Sequence, residues 1–413
     1  MHDTPAIPRQ VAIKNGFVRL WAASTVSNLA DGVGLAAAPL LAAALTRDPL
    51  LVSGLTIAQR LPWFLFTLIS GALVDRFNRR EVMAHANRWR FLLLVILALS
   101  LISGWINLLV LYVIYFLLGT IETLFDNAAL AILPELVERE RLEQANGRLY
   151  ATSTLANELA GPPLGSYLFA INRAASFFVA GLAYGLSSTM IHQIPDGSSP
   201  RRTRTDGMLR EIKQGVRWFW QHRLLRTLGF FAAAFNLVFA ATMSVFVLYA
   251  QDVLGLSDTA YGFLLAFGAG GGIIGSLLAK RLSDRFGAGR LLLADALLSA
   301  SAFIGIGLTS RVLVVGLMFV VLSMSDMFGN VVIVSLRQEL IPTHLLGRVA
   351  SAYRLVVLGA LPLGALIGGV LARGVSLAAP FLAGGLLLIS TAIAMQPAVN
   401  NRTIEAARRL AAP

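Results

Sequence analysis

Six ionisable side chains stand inside otherwise apolar stretches of this chain: Asp31, Arg60, Glu122, Glu158, Asp326 and, nearer one end of its stretch, Asp126. A charge at bilayer depth costs at least about 2.5–3.5 kcal/mol on insertion scales, so such groups are expected to face a cavity or one another. The chemistry open to them is proton carriage and ion pairing, because a carboxyl group in a low-dielectric cavity can take up and release a proton. Glu158 leads the candidates for proton coupling, midway through its stretch and three residues before Gly161-Pro162. Asp31 and Glu122 come next. Asp31 lies about 21 Å of helix into the first stretch and Arg60 about 15 Å into the second, so the two are expected to pair near the middle. The plainer role for any one of these residues is to tie helices together by hydrogen bonds.

Other chemistry is missing from the sequence. There are no cysteines, which excludes disulfides, thiol catalysis and Cys-ligated metals. His2, His85, His192, His222 and His344 are scattered near loops without metal spacing. No P-loop is present. The G-x-G-x-x-G-like run GAGGGIIG at 268–275 lies in an apolar stretch without a βαβ setting and reads as helix packing. The expectation is a protein that is not an enzyme and needs no cofactor or metal.

The elements that must position the charges follow from composition. Of 413 residues, 56% are hydrophobic and only 14% charged, with a mean hydropathy of +0.72; a soluble domain carries about 25% charged residues. Apolar runs long enough to cross a bilayer recur throughout. Lipid cannot satisfy free backbone groups, and the runs lack the alternation of barrel strands, so the spans are helices. Twelve are expected, near 17–45, 50–74, 82–104, 106–134, 146–170, 172–194, 224–252, 258–280, 291–309, 312–341, 346–373 and 377–396. They form an N-terminal six-helix half over 1–194 and a C-terminal half with a short tail over 223–413. Between them, 195–222 is a polar linker ending in a candidate amphipathic helix, with Trp218, Phe219 and Trp220 at headgroup level. The N-terminus is polar and no cleavable signal is evident, so the first helix is expected to be retained.

Lys and Arg alternate between loops. Arg76, Arg79, Arg80, Arg88, Arg90, Arg139, Arg141, Arg148, the 201–226 cluster, Lys280, Arg281, Arg285, Arg290, Arg337, Arg348 and the basic tail share one side; Arg47, Arg173, Arg311 and Arg373 face the other. The basic side, with both termini, is therefore expected to be cytoplasmic. The same alternation explains the net charge of +12 without nucleic acid.

A repeat runs through the chain. Asp75-Arg76-Phe77 ends span two and Asp284-Arg285-Phe286 ends span eight; FDNAALAILPEL matches FGNVVIVSLRQEL, and LAGPPLGSYL matches LGALPLGALIGG, all roughly 200–210 positions apart and in the same order. Carriers built from two such halves place the substrate near the midplane at the repeat interface.

These residues carry a family resemblance that covers nearly the whole chain. GALVDRFNRR resembles the loop-2/3 signature of the major facilitator superfamily, roughly G-x-x-x-D-R/K-x-G-R-R/K, and AKRLSDRFGAGR resembles its copy in loop 8/9. Gly161, Pro162 and Gly165 resemble the G-P-x-x-G motif of its proton-coupled exporters, and LPELVERERLEQANGR looks most like the enterobactin-exporter and macrolide-efflux branch. The resemblance implies an all-α membrane carrier in two pseudo-symmetric six-helix bundles. It implies cytoplasmic gating loops in which Gly71, Asp75, Arg76, Asn78, Arg79 and Arg80, with Asp284, Arg285 and Arg290, open and close the inner side; in the family the Asp75 carboxylate caps a neighbouring helix. It further implies a span five that favours export. Asn78 stands where the pattern has Gly, at a position expected to need a positive φ that Asn tolerates. The span-four Arg of many drug–proton antiporters is missing, leaving Glu122 and Asp126 there.

The function expected is proton-coupled secondary export, by alternating access, of a small amphipathic or hydrophobic compound such as a drug, macrolide or siderophore. The setting is the bacterial inner membrane, and the protein is expected to act as a monomer among lipids with protons and substrate as its partners. The alternatives are a proton-coupled importer on the same fold and a non-transporting receptor or assembly protein.

Overall fold

In a computed structural model the described residues are 9–74, 76–195, 208–342 and 345–411. They form helices and short connections, with no strand among the described residues. In chain order these are α1 (Arg9–Leu45), α2 (Pro49–Val74), α3 (Arg79–Ile102), α4 (Leu108–Leu136), α5 (Leu142–Ser153), a π-helical segment (Thr154–Ala160), α6 (Gly161–Ile171) and α7 (Arg173–His192). Then follow α8 (Met208–Gln221), α9 (Arg223–Met243), α10 (Phe246–Leu248) with a second π segment (Tyr249–Val253), α11 (Asp258–Phe286), α12 (Ala288–Gly307), α13 (Val312–Leu340), α14 (Leu346–Gly374), α15 (Ala379–Met395) and α16 (Asn401–Ala411).

Ten of these helices are long and apolar enough to cross a membrane. The other two spans of the twelve are the rod α5–π–α6, interrupted by its wide turn, and α15, which is 17 residues long. Loop polarity sets the ends. Asn107 accepts from the Val110 amide at 3.0 Å to cap α4, and Asn172 accepts from Ala174 at 2.9 Å to cap α7.

Contacts divide the chain into two compact units. One takes in Met1–Ala38 and Leu65–Thr203; the other takes in Pro39–Phe64 and Arg204–Pro413. The second unit thus includes the hairpin between α1 and α2. There Arg47 donates to Gln251 at 2.6 Å and pairs with Asp252, while Asp48 lies 3.4 Å from Arg373.

Within each unit a glycine pair brings two helices to backbone contact. In the first, α6 crosses α1: a Cβ at Gly161 would stand 2.4 Å from the Gly32 Cα, and one at Gly165 2.3 Å from the Val33 oxygen. In the second, α14 crosses α9: a Cβ at Gly364 would stand 2.2 Å from the Leu237 oxygen, and one at Gly368 2.0 Å from that of Ala241. The matched sequences LAGPPLGSYL and LGALPLGALIGG therefore perform one task twice, small-residue packing. GAGGGIIG does the same for α11, with Gly271 and Gly275 against Val320 and Met324 of α13.

Two local expectations change, and one proline pair is accommodated. Asn78 has φ −64°, not a positive value, because its side chain is the N-cap of α3, accepting from Arg80 and Glu81 amides at 3.1 and 3.4 Å. Pro162 and Pro163 stand in the first turn of α6, and the π turn before them accommodates their missing donors, with the Gly161 amide reaching back to the Ala156 carbonyl. Phe219 is buried against Gly229 and Tyr353 rather than at headgroup level, while Trp220 is exposed. The linker at 196–207 and Asp75 lie outside the described residues.

The crossings give a direct test. Gly165→Val should destabilise the protein by at least ~1–3 kcal/mol, since backbone cannot yield to the added carbons. Gly272→Ala, with nothing within 4 Å of the new carbon, should leave the melting temperature unchanged or higher. Thermal melts of the two purified variants decide this.

Candidate functional site

Span three carries a cation to the middle of the first unit. Capped at Asn78, α3 places Arg90 eleven residues beyond its first residue, about 16 Å along the helix. Its side chain is only 2% exposed. The Phe125 and Tyr184 rings flank the guanidinium, with centroids 4.9 and 5.2 Å from its carbon. Asn87 Oδ1 accepts from it at 3.4 Å, and Asp31 Oδ1 lies 4.0 Å away. Tyr184 donates its hydroxyl to the same Asp31 oxygen. Glu122 and Asp126 are carried on α4, the helix that also supplies Phe125. Asn87 is held in turn by the Ser187 hydroxyl at 2.9 Å and that of Ser27 at 3.4 Å. Helices α1, α3, α4 and α7 each contribute, so the cluster can shift only if those helices do.

The second unit has a different cluster at matching helices. Asp295 of α12 is 3% exposed and accepts from Ser299 at 3.2 Å; the Ser299 and Ser325 hydroxyls are 2.8 Å apart. A cavity of about 220 Å³ is lined by Asp295, Asp326, Asn236, Asn330, Arg337 and Tyr353 among others. The Arg337 guanidinium lies over the Tyr353 ring, 4.1 Å from its centroid. Arg337 thus sits on a cavity wall rather than in a basic loop.

The sequence candidates are placed as follows. Asp31 lies beside Arg90, Glu122 and Asp126 stand on α4 with Phe125, and Asp326 shares a cavity with Asp295. Contacts group Arg60 with the second unit, and Asp31 meets Arg90 and Tyr184. Glu158 lies in the π segment, a feature common at functional sites; its side chain is exposed and forms no hydrogen bond or ion pair among the described residues. Gly161, Pro162 and Gly165 are buried at the α1 crossing.

The basic-side loops are built unlike one another. In the first, Arg79 donates to the Ala131 carbonyl at 2.9 Å and pairs with Glu135, and Arg80 donates to the Ile194 carbonyl at 3.0 Å. Gly71 is open and Arg76 exposed. In the second, α11 runs on through Asp284 and Arg285 to Phe286, and Gly287 (φ 88°) starts α12 without a side chain to cap it. Asn401 of α16 does so instead, accepting from Gly289 and Arg290 amides at 2.8 and 3.3 Å and donating to the Phe286 carbonyl at 2.8 Å.

Arg90, Tyr184, Asn87, Asp295 and Asn401 were not singled out from sequence. Arg90 lies eight residues inside the span expected over 82–104, yet its charge groups it with the basic-side loop arginines. Asp295, alone in the apolar run LLLADALL, was visible.

A helical membrane chain with repeated halves and charged clusters inside its spans is a multi-pass transporter of the major facilitator superfamily. The family model described as transmembrane secretion effector matches residues 11–411, and the chain belongs to that family. It is 28% identical over 399 residues to the "Multidrug efflux pump Tap" of Mycobacterium tuberculosis, covering 90% of each chain. It is 24% identical over 401 residues to "Macrolide efflux protein A" of Streptococcus pyogenes, covering 93% of this chain and 96% of that one. The fold is that of the nucleoside transporter NupG, at a TM-score of 0.72 and 10% identity, covering 93% of this chain and 98% of that one.

Removing the cation should expose its cost. Arg90→Gln leaves Asp31 without its ion pair and should destabilise by about 3–5 kcal/mol. Adding Asp31→Asn should recover part of that loss. A double-mutant cycle on melting temperature checks the coupling; additive losses would mean that the two residues do not interact.

Proposed function

We propose that the protein is a proton-coupled exporter of small amphipathic or hydrophobic compounds, working by alternating access in the bacterial cytoplasmic membrane with both termini in the cytoplasm. The halves are 1–194 and 223–413, joined by 195–222, and the protein works as a monomer. The observation that carries the reading is Arg90, buried inside the first unit with Asp31 4.0 Å away and Glu122 and Asp126 carried on α4. A proton arriving on Asp31 cancels the charge that Arg90 answers and frees the cation to turn to α4. The cluster spans four helices, so proton binding and helix arrangement become linked quantities.

Glu158 is the second candidate carrier. Its exposed carboxyl in the π segment can exchange protons with a water-filled path, beside the glycine crossing on which α6 would pivot. The relatives named multidrug efflux pump Tap and macrolide efflux protein A favour export of drugs or macrolides.

The test is efflux of a macrolide or an amphipathic dye from cells lacking other pumps, with and without a protonophore. Efflux should stop when the proton gradient is dissipated. Asp31→Asn and Glu158→Gln should each abolish proton-driven efflux while the protein remains folded in the membrane. Normal efflux by Glu158→Gln would leave coupling to the Arg90 cluster alone, and uptake in place of efflux would reverse the direction proposed.

A further inference from the structure

Some arginines on the basic side are engaged by the protein and others are not. Arg79, Arg80, Arg348 and Arg408 have protein partners: Arg348 donates to Gln214 at 2.7 Å, and Arg408 grips Glu339 with two N–H groups at 2.7 and 3.3 Å. Arg88, Arg290 and Arg402 make no ion pair and no side-chain hydrogen bond among the described residues, and each edges a cavity.

The cavities are related by the repeat. One, of about 660 Å³, lies between α3 and the end of α7, the third and sixth spans of the first half; Arg88 and His192 edge it, and Phe91 and Leu92 form its apolar part. The other, of about 490 Å³, lies between α12 and the end of α15, the third and sixth spans of the second half; Arg290 and Arg402 edge it over Leu293, Ala392 and Met395. From each cavity an exposed apolar strip continues along the same two helices: Ile96, Leu182 and Leu186 in the first half, Leu297, Leu386 and Ile393 in the second.

We propose that these two cavities are headgroup sites for anionic phospholipid of the leaflet on the basic-loop side. A phosphodiester accepts the free guanidinium N–H groups in charge-assisted hydrogen bonds. The strip beyond takes the acyl chains, which a free phosphate does not have. Basic pockets between spanning helices on the cytoplasmic side suit this chemistry. The second site also joins the lipid to the inner end of its half, because Asn401 and Arg402 are neighbours: the first caps α12, and the second offers its charge to the headgroup.

The experiment uses the purified full chain in detergent, with dioleoyl phosphatidylglycerol as probe and dioleoyl phosphatidylcholine and inorganic phosphate as comparisons. Bound lipid is counted by native mass spectrometry. Two phosphatidylglycerols should be retained and phosphatidylcholine lost. Arg88→Ala should weaken one site, and Arg290→Ala with Arg402→Ala the other, by about five-fold for each arginine removed. Millimolar phosphate should not displace the lipid. Equal retention of the zwitterionic lipid, wild-type retention by the variants, or displacement by phosphate, which would mark a simple anion site, each overturns the proposal. Should the alanine variants not fold, Leu293→Trp fills the second cavity without changing charge and should lose one lipid; unchanged retention there overturns it as well.

Discussion

A guanidinium in the middle of a membrane-spanning bundle governs the arrangement of the first unit. Hydrocarbon offers Arg90 no hydrogen-bond partner, and an unpaired charge at that depth costs several kcal/mol. The protein meets that cost with contributions from four helices: Asp31 from α1, Asn87 beside Arg90 on α3, Phe125 with the carboxylates of α4, and Tyr184 from α7. None of these groups suffices alone. The arrangement is therefore tied to the mutual placement of those four helices.

The two halves solve the same packing problem alike and the electrostatic one differently. Gly165 on Val33 and Gly364 on Leu237 are the same device, because backbone contact admits only a missing side chain. The charges diverge. The first half buries a cation among anions, while the second buries Asp295 among hydroxyls beside Asp326. Packing constrains every sequence that uses the fold; the charges are where one carrier can differ from another.

The basic-side loops show the same freedom. Asn78 caps α3 with its own side chain, whereas α12 begins at a glycine and borrows Asn401 from the tail. Either way the first amides of the helix are satisfied. In the second half this ties the C-terminal helix to the turn between α11 and α12, and the Arg408–Glu339 pair joins the same helix to the end of α13.

The number of spans, their order and their repeat could be read from the sequence, because crossing a bilayer imposes a length and an apolar composition that local residues must supply. The glycines at the helix crossings were legible for a similar reason: only one residue type allows that approach. Asp31, Glu122 and Asp126 stood out as charges in apolar runs, but nothing local to them says which cation answers. Arg90 lies 59 positions from Asp31, and nothing along the chain separates it from the neighbouring basic-side arginines or turns it toward α1. Asn401 as the cap of a distant helix is likewise invisible along the chain. Which charges can be buried is a property of residues; which ones meet depends on helix phase and packing, and only the folded bundle sets those.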